Sequence, residues 1–319
     1  MSKKVIAVAG ATGAQGGGLV RAILADPKSE FSVRALTRNR NSEKAKALAA
    51  LGAEVVEADV NDTDSLRKAF SGAYGAFCVT FFWEHLSAEK ETAQARVLAH
   101  AAKDAKLQHV IWSTLEDSRK WVPLHDNRMP TLQGRYKVLH LDAKAEADDD
   151  FRKLPSTLLL TSFYFDNLIM FDMGPKRGAD GKLAFTLPTA DARLATIAAE
   201  DIGRCAYGIF QRGNELIGKT VGIAGEFLTG PEMAAQLTEA MGEKVAYNYV
   251  PPEVFRTLPI PAAEDVGNMF QFFRDFSDDL CGLRSVELSR SLNPELQTFR
   301  QWLQKNVSRI VIEPKKATA

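Results

Sequence analysis

Three glycines near the start of the chain carry the first hint of chemistry. Gly10, Ala11, Thr12, Gly13, Ala14, Gln15 and Gly16 form a G-x-x-G-x-x-G heptapeptide. An apolar run, Lys4 to Ala9, precedes it, and Leu19 to Leu24 follows with apolar residues at helical spacing. A strand, a glycine turn and a helix bring bare backbone N–H groups to a helix N-terminus, where unpaired donors and the helix dipole attract a pyrophosphate. Gly10 permits the tight exit from the strand and Gly13 lets phosphates approach without an intervening Cβ. Gly16 is expected to let the helix pack close to the sheet. The spacing differs from the common G-x-G-x-x-G, so the flanking strand and helix carry the reading.

About 20 residues beyond such a turn, an acid normally binds the ribose 2′-hydroxyl of NAD. Here that place holds Arg38, with Arg40 close behind. A guanidinium matches a 2′-phosphate bidentately, so the expected ligand is NADP(H) rather than NAD(H). Asp59, ending a third strand, is placed to accept from the adenine amino group. His140 and Lys144 are four apart on an expected helix and share one face. Asp148, Asp149 and Asp150 read as a solvated acidic run. The five histidines, at 85, 100, 109, 125 and 140, show no metal-ligand spacing, and no G-x-S-x-G elbow is present. No metal is expected.

Those residues need a scaffold. Phe31–Thr37, Glu54–Ala58, Gly75–Thr80, His109–Thr114 and Thr157–Thr161 read as strands, with helices between them. Ser42, Asp62 and Ser87 stand as helix caps. This alternation implies right-handed crossovers and an α/β fold with a doubly wound parallel sheet. Sites then gather at the carboxyl ends of the strands, which hold Gly10, Arg38, Asp59, Thr80 and Ser113. Residues 1–155 are expected as a Rossmann domain. Residues 156–319 are expected as a smaller α+β region for substrate or partner, partly interleaved with the sheet. Leu115–Arg135, with two prolines and no periodicity, reads as a long active-site loop that orders when a nicotinamide is in place. One helix is expected over Val138–Lys153, another after Thr229-Gly230-Pro231-Glu232, and a loose tail from Ile310. The aromatics Phe81, Phe82, Trp83 and Met269–Phe276 suit a pocket or a core equally.

Composition narrows the class. The chain has 319 residues, 45% of them apolar and 25% charged, as in an ordinary globular protein. Forty basic and forty acidic residues cancel, so charge points to neither nucleic acid nor membrane. Three cysteines, odd in number and far apart, argue against a disulfide framework and suit a reducing cytosol, so a cytoplasmic location is expected. No signal peptide or membrane span is expected. Nothing in the sequence sets an oligomeric state.

Taken together, five segments resemble the NmrA-like proteins, atypical members of the short-chain dehydrogenase/reductase superfamily, and within them the NADPH redox-sensor type. They are GATGAQGG at Gly10–Gly17, LTRN at Leu36–Asn39, AFCVTFFWE at Ala76–Glu84, HLDAKAE at His140–Glu146 and FYFDNL at Phe163–Leu168. The resemblance runs along nearly the whole chain. It implies that Gly10 to Gln15 wrap the pyrophosphate, Arg38 takes the 2′-phosphate, and Asp59 with Val60 borders the adenine. Thr80, Phe81 and Phe82 would lie along the ribose, and Lys144 would hold the nicotinamide ribose. Tyr164, Phe165, Asp166 and Asn167 would close over the nicotinamide. The sensor carries a cofactor-contacting lysine on the helix after the fourth strand; this chain has Ala93, with Lys90 a turn away.

In the superfamily the i, i+4 pair is tyrosine and lysine, the tyrosine acting as general acid. His140 stands in the tyrosine's place. A neutral imidazole is a poor proton donor, and Lys144 disfavours an imidazolium beside it. Lys144 and His140 are thus the candidate catalytic pair, with His140 more simply read as structural. Two functions follow as expectations: an NADP(H)-responsive sensor that binds a partner protein, and an NADPH-dependent oxidoreductase acting on a quinone, imine or other small conjugated acceptor. The vacated proton-donor position favours the sensor.

Overall fold

Short apolar strands separated by amphipathic helices have one economical arrangement, a parallel sheet covered on both faces. The computed structural model describes residues 2–312. Its first six strands are β1 (Lys4–Val8), β2 (Phe31–Thr37), β3 (Glu54–Glu57), β4 (Gly75–Cys78), β5 (His109–Thr114) and β6 (Ser156–Leu160). Shorter strands follow: β7 (Phe163–Tyr164), β8 (Lys176–Arg177), β9 (Leu183–Thr186), β10 (Leu194–Ile197), β11 (Thr220–Gly222), β12 (Glu226–Leu228) and β13 (Val245–Asn248). Seven form one sheet in the order β11-β6-β5-β4-β1-β2-β3, with every pair parallel. This is the doubly wound α/β architecture. Its order reverses between β1 and β4, so a crevice opens at their carboxyl ends. Two small mixed sheets, β12-β10-β7 and β13-β9-β8, stand beyond it.

Ser42, Asp62 and Ser87 cap their helices through their side chains, and Thr229 with Glu232 forms a capping box. The later chain returns to the first half at several places, two of which involve the main sheet and its first helix. Strand β11 extends the main sheet beside β6, and the helix Ala199–Arg212 lies on the helix Ala14–Ala25. That second contact needs glycine on both sides. A Cβ on Gly203 would stand 2.1 Å from the Leu19 nitrogen, and one on Gly18 would stand 2.6 Å from the Glu200 carbonyl oxygen. The close approach expected at Gly16 is of another kind, since a Cβ there would stand 2.4 Å from the Gly10 oxygen, within the turn itself. Gly203→Ala is therefore expected to cost about 1–3 kcal/mol, because backbone cannot step aside as a side chain can. Thermal unfolding should show a fall of several degrees, against almost none for Gly282→Ala, which faces open space. Equal melting temperatures would show that the two helices can part freely.

The expected helix over 138–153 is broken into Leu139–Ala145 and Asp148–Arg152. The break has a physical reason, and it corrects the reading of a solvated acidic run. Asp148 turns inward, accepting from Trp112 Nε1 at 3.0 Å and from Thr114 Oγ1 at 2.7 Å. Burial pushes its carboxyl up to about 6. A carboxyl whose folded pKa lies above its unfolded value binds more protons when native, so stability falls as pH rises through about 4 to 6. Asp148→Asn keeps both acceptor bonds and has no charge to bury. It should match the original protein near pH 4 and exceed it above pH 6 by on the order of 2 kcal/mol. Parallel denaturation curves at both pH values would refute this.

Of the aromatic run 269–276, Phe270 and Phe272 are fully buried, while Met269 and Phe273 face the cavity described below. All of the run but Phe276, which caps the helix Ala263–Asp275, lies within that helix, and the run serves both roles at once. The expected loose tail is held at its start: Ile310 is buried, and the Ile312 carbonyl accepts from Arg177 N at 3.1 Å. Residues 313–319 lie outside the described residues. Among the described residues no helix is long and apolar enough to cross a membrane, and no group of His, Cys, Asp and Glu could hold a metal ion.

Candidate functional site

The glycine turn lies at the crevice. Gly10 takes a positive φ of 64°, the region glycine enters freely, and donates the turn's sharp exit from β1. The helix begins at Ala14 with Gly13 as its cap, and no side chain satisfies its first N–H groups. A Cβ on Gly13 would stand 3.1 Å from the Gly10 oxygen, and one on Gly10 3.0 Å from Val79. Bare backbone and an uncapped helix start make a phosphate cradle. Thr12 is only partly buried, and Ala11 points into the core under the turn.

Arg38, Asp59 and Val60 sit together past β2 and β3, outside the main cavity. Arg38 is exposed and ion-paired with Glu84, whose carboxylate holds the guanidinium's pKa above its ordinary value. Asp59 spends its Oδ1 on Asn61, accepting from its backbone and side-chain nitrogens at 2.8 Å each.

Lys144 is nearly buried at the back of the cleft. Its Nζ donates to Thr80 Oγ1 at 2.8 Å and the Thr80 carbonyl at 3.2 Å, and pairs with Glu91 Oε1 at 2.9 Å. Thr80 Oγ1 in turn donates to Glu91 Oε1 at 2.6 Å, and the ammonium lies 5.1 Å from the Trp112 ring centre. Glu91 is the residue that the helix Ala88–Asp104 contributes here. Lys90 is exposed, and Ala93 lies on a separate small depression with Arg96, Tyr136 and Glu146, so neither touches the cleft. Nothing in the sequence marked Glu91, whose meaning depends on Lys144 arriving beside it.

His140 lines the same cleft. Its Nδ1 is 2.5 Å from Asp265 Oδ2, and Asp265 Oδ1 accepts from Leu139 N at 2.6 Å. Asp265 is buried. The ring lies against Trp83 and Phe82, at 4.9 and 5.6 Å between centroids. The like charge of Lys144 is already paired with Glu91.

The stretch Tyr164–Asn167 divides. Tyr164 and Asn167 line the cavity; Phe165 and Asp166 do not. Gln15 Nε2 donates to the Tyr164 hydroxyl and Ser113 Oγ donates to Gln15 Oε1 at 2.7 Å, joining β5, β7 and the glycine turn. Phe165 is wholly buried against Phe299 and Trp302, and Asp166 accepts from Ala199 N at 2.8 Å. The strand β7 ends at Tyr164 and a helix begins at Asn167, and the turn between them carries Phe165 and Asp166 away from the cavity. Asn167 Oδ1 is buried without a hydrogen-bond partner among the described residues.

The loop 115–135 is held over its second half by side chains from outside it: Lys137 Nζ donates to the Asp126 and Met129 carbonyls at 2.7 and 2.8 Å, Asn268 Nδ2 to Pro130 at 2.9 Å, and Gln271 Nε2 to Arg128 at 2.7 Å.

One cavity of about 990 Å³ joins these groups. It runs from Gly10–Gly16 past Thr80, Lys144 and His140 into a chamber walled by Phe163, Phe171, Phe255, Met269, Phe273 and Leu280. The cradle, the uncapped helix and the orphaned Asn167 oxygen fit a dinucleotide. Gly10 to Gln15 would hold its pyrophosphate, Lys144 and Thr80 a ribose, and Asn167 a hydrogen-bond donor at the far end.

A doubly wound parallel sheet with such a turn at its switch point defines a Rossmann-type protein of the dinucleotide-site class. More particularly, the NmrA-like family model matches residues 2–303, and the chain belongs to the NmrA-like family. The NmrA-like family domain-containing oxidoreductase FrzB of Cladobotryum sp is 28% identical over 291 residues, covering 84% of this chain and 83% of that protein. An NmrA-like family domain-containing protein of Dictyostelium discoideum is 27% identical over 319 residues, covering 96% and 98%. Among solved structures, the negative transcriptional regulator NmrA superposes with a TM-score of 0.78 at 25% identity, covering 95% of each chain. NmrA has also been crystallised with NADP.

Proposed function

We propose that this protein binds NADP(H) and reduces a small, apolar, conjugated acceptor such as a quinone or an imine. The observation that carries the reading is the chamber: the cavity does not end where a nicotinamide would lie but continues into an apolar, aromatic-walled space. The reduced nicotinamide, when bound, supplies the hydride. Lys144 and Thr80 orient the ribose, the aromatic walls exclude water, and Arg38 selects the 2′-phosphate. The naming of FrzB as an oxidoreductase accords with this reading. So does a reducing cytoplasm, since Cys78, Cys205 and Cys281 are all buried free thiols.

A second reading, the redox-responsive regulator with a protein partner, rests on the Arg38–Glu84 pair. A 2′-phosphate would take Arg38 from Glu84, and Glu84 ends the turn Phe82–Glu84 whose aromatic rings wall the cleft. NmrA, described as a negative transcriptional regulator, accords with that reading. NADPH oxidation against quinones, imines and enals separates the two. Turnover at about 1 per second or faster supports the enzyme. Bound NADPH that no acceptor consumes, with hydrogen exchange changing over residues 81–86, supports the regulator.

A further inference from the structure

We propose that His140, held by Asp265, is the proton donor to the acceptor; this rests on the chamber being an acceptor site. The imidazole is fixed through Nδ1 by a buried carboxylate that a backbone N–H also holds in place. No hydrogen bond to its Nε2 is made among the described residues, and the ring lines the cavity beside Lys144. A carboxylate at one ring nitrogen sets the tautomer and supplies the counter-charge of an imidazolium, leaving the other nitrogen to act as acid.

The charged groups around the ring permit this. Asp265 comes from the helix Ala263–Asp275. On its own helix, Lys144 is paired with Glu91, and Asp142 is turned away to Ser118 and the backbone of Lys137. From the turn below, His85 reaches Glu91 at 3.5 Å and is separated from His140 by Phe82. The Asp265 charge is thus the one directly bonded to the ring.

The step balances as follows. A hydride from a bound reduced nicotinamide, whose C–H bond would break as the ring is oxidised, would add to the acceptor carbon, and the displaced electron pair would move to the conjugated oxygen or nitrogen. That atom takes the Nε2 proton: one N–H bond breaks, one O–H or N–H bond forms, and a neutral imidazole remains until a solvent proton restores it. The acceptor class follows from the chemistry, a conjugated carbonyl, quinone or imine whose reduction places charge on a heteroatom. An unactivated alkene would leave His140 without a function.

The test needs no turnover. The probe is 4-nitrophenol, a planar aromatic whose yellow phenolate is distinguished from its colourless phenol, bound to the protein in the presence of NADP+ at a pH below the free probe's pKa. At one pH, the bound probe should show a phenolate-to-phenol ratio about tenfold above that of the free probe, the equivalent of one pKa unit. That excess should vanish in His140→Gln and His140→Phe and shrink in Asp265→Asn, with NADP+ binding by calorimetry unchanged as the check on folding. Bound probe with no excess in the original protein overturns the proposal, as does an excess that survives both His140 variants. Failure of the probe to bind at all overturns the acceptor chamber, and the donor role with it. Failure of NADP+ to bind overturns the cofactor assignment itself.

Discussion

Arg38→Asp is expected to weaken NADPH binding at least a hundredfold while leaving NADH binding unchanged or improved, so that the preference reverses. Charge-assisted hydrogen bonds contribute about 1.5–3 kcal/mol each, and a guanidinium can make two to a 2′-phosphate. The structure tempers the second half of the expectation. An aspartate at position 38 would face Glu84, which now pairs with the arginine, and stand near Asp59. Like charges at that range oppose one another. The gain for NADH should therefore be small in Arg38→Asp alone and larger when Glu84→Gln accompanies it. Calorimetry with both cofactors on all three proteins checks this. Equal affinity of the original protein for NADP+ and NAD+ would sink the assignment.

Lys144→Met is expected to be the most destabilising single change in the site, by about 3–5 kcal/mol, because it leaves the charge of Glu91 buried and unpaired. Glu91 is fully buried, and among the described residues it has, besides Lys144, only the Thr80 hydroxyl and a distant His85 nitrogen. Adding Glu91→Gln to Lys144→Met removes the stranded charge, so most of the stability should return. Cofactor affinity should not return with it, since the ammonium that would hold the ribose is still missing. Urea denaturation of the two single variants and the double variant, with NADP+ titrations on each, separates the structural from the binding role. If Lys144→Met proved as stable as the original protein, the ion pair would not be the support described here.

How much of this was legible beforehand depends on the distance over which each feature is decided. The glycine turn, the strands β1 to β6, the side-chain caps at Ser42, Asp62, Ser87 and Thr229, and the place of Arg38 are properties of short stretches. Strand and helix periods and capping chemistry act within a dozen residues, so the order of residue types suffices for them. The parallel sheet followed from the alternation of those elements. The same local logic erred where a neighbour distant in sequence intervened. Asp148 looked solvated until Trp112 and Thr114 came beneath it, and the helix around it broke accordingly. Tyr164 to Asn167 read as one contact surface, but a turn between the strand end at Tyr164 and the helix start at Asn167 buries Phe165 against Phe299 and Trp302 instead.

The decisive pairs of the site are all long-range. His140 and Asp265 lie 125 positions apart, Lys144 and Glu91 are on different helices, and Gly18 meets Gly203 through two helices that only folding brings together. A carboxylate has no assigned task until its neighbour is known: Glu91 is the counter-ion of Lys144 and Asp265 the partner of His140 because of what packs against them. The sequence by itself determined the scaffold and the glycine turn at its switch point, where backbone geometry set by a few adjacent residues decides the outcome. Only the tertiary structure decided the chamber and the groups that face it, because buried charges and cavity walls are set by contacts between elements and by no pattern within one.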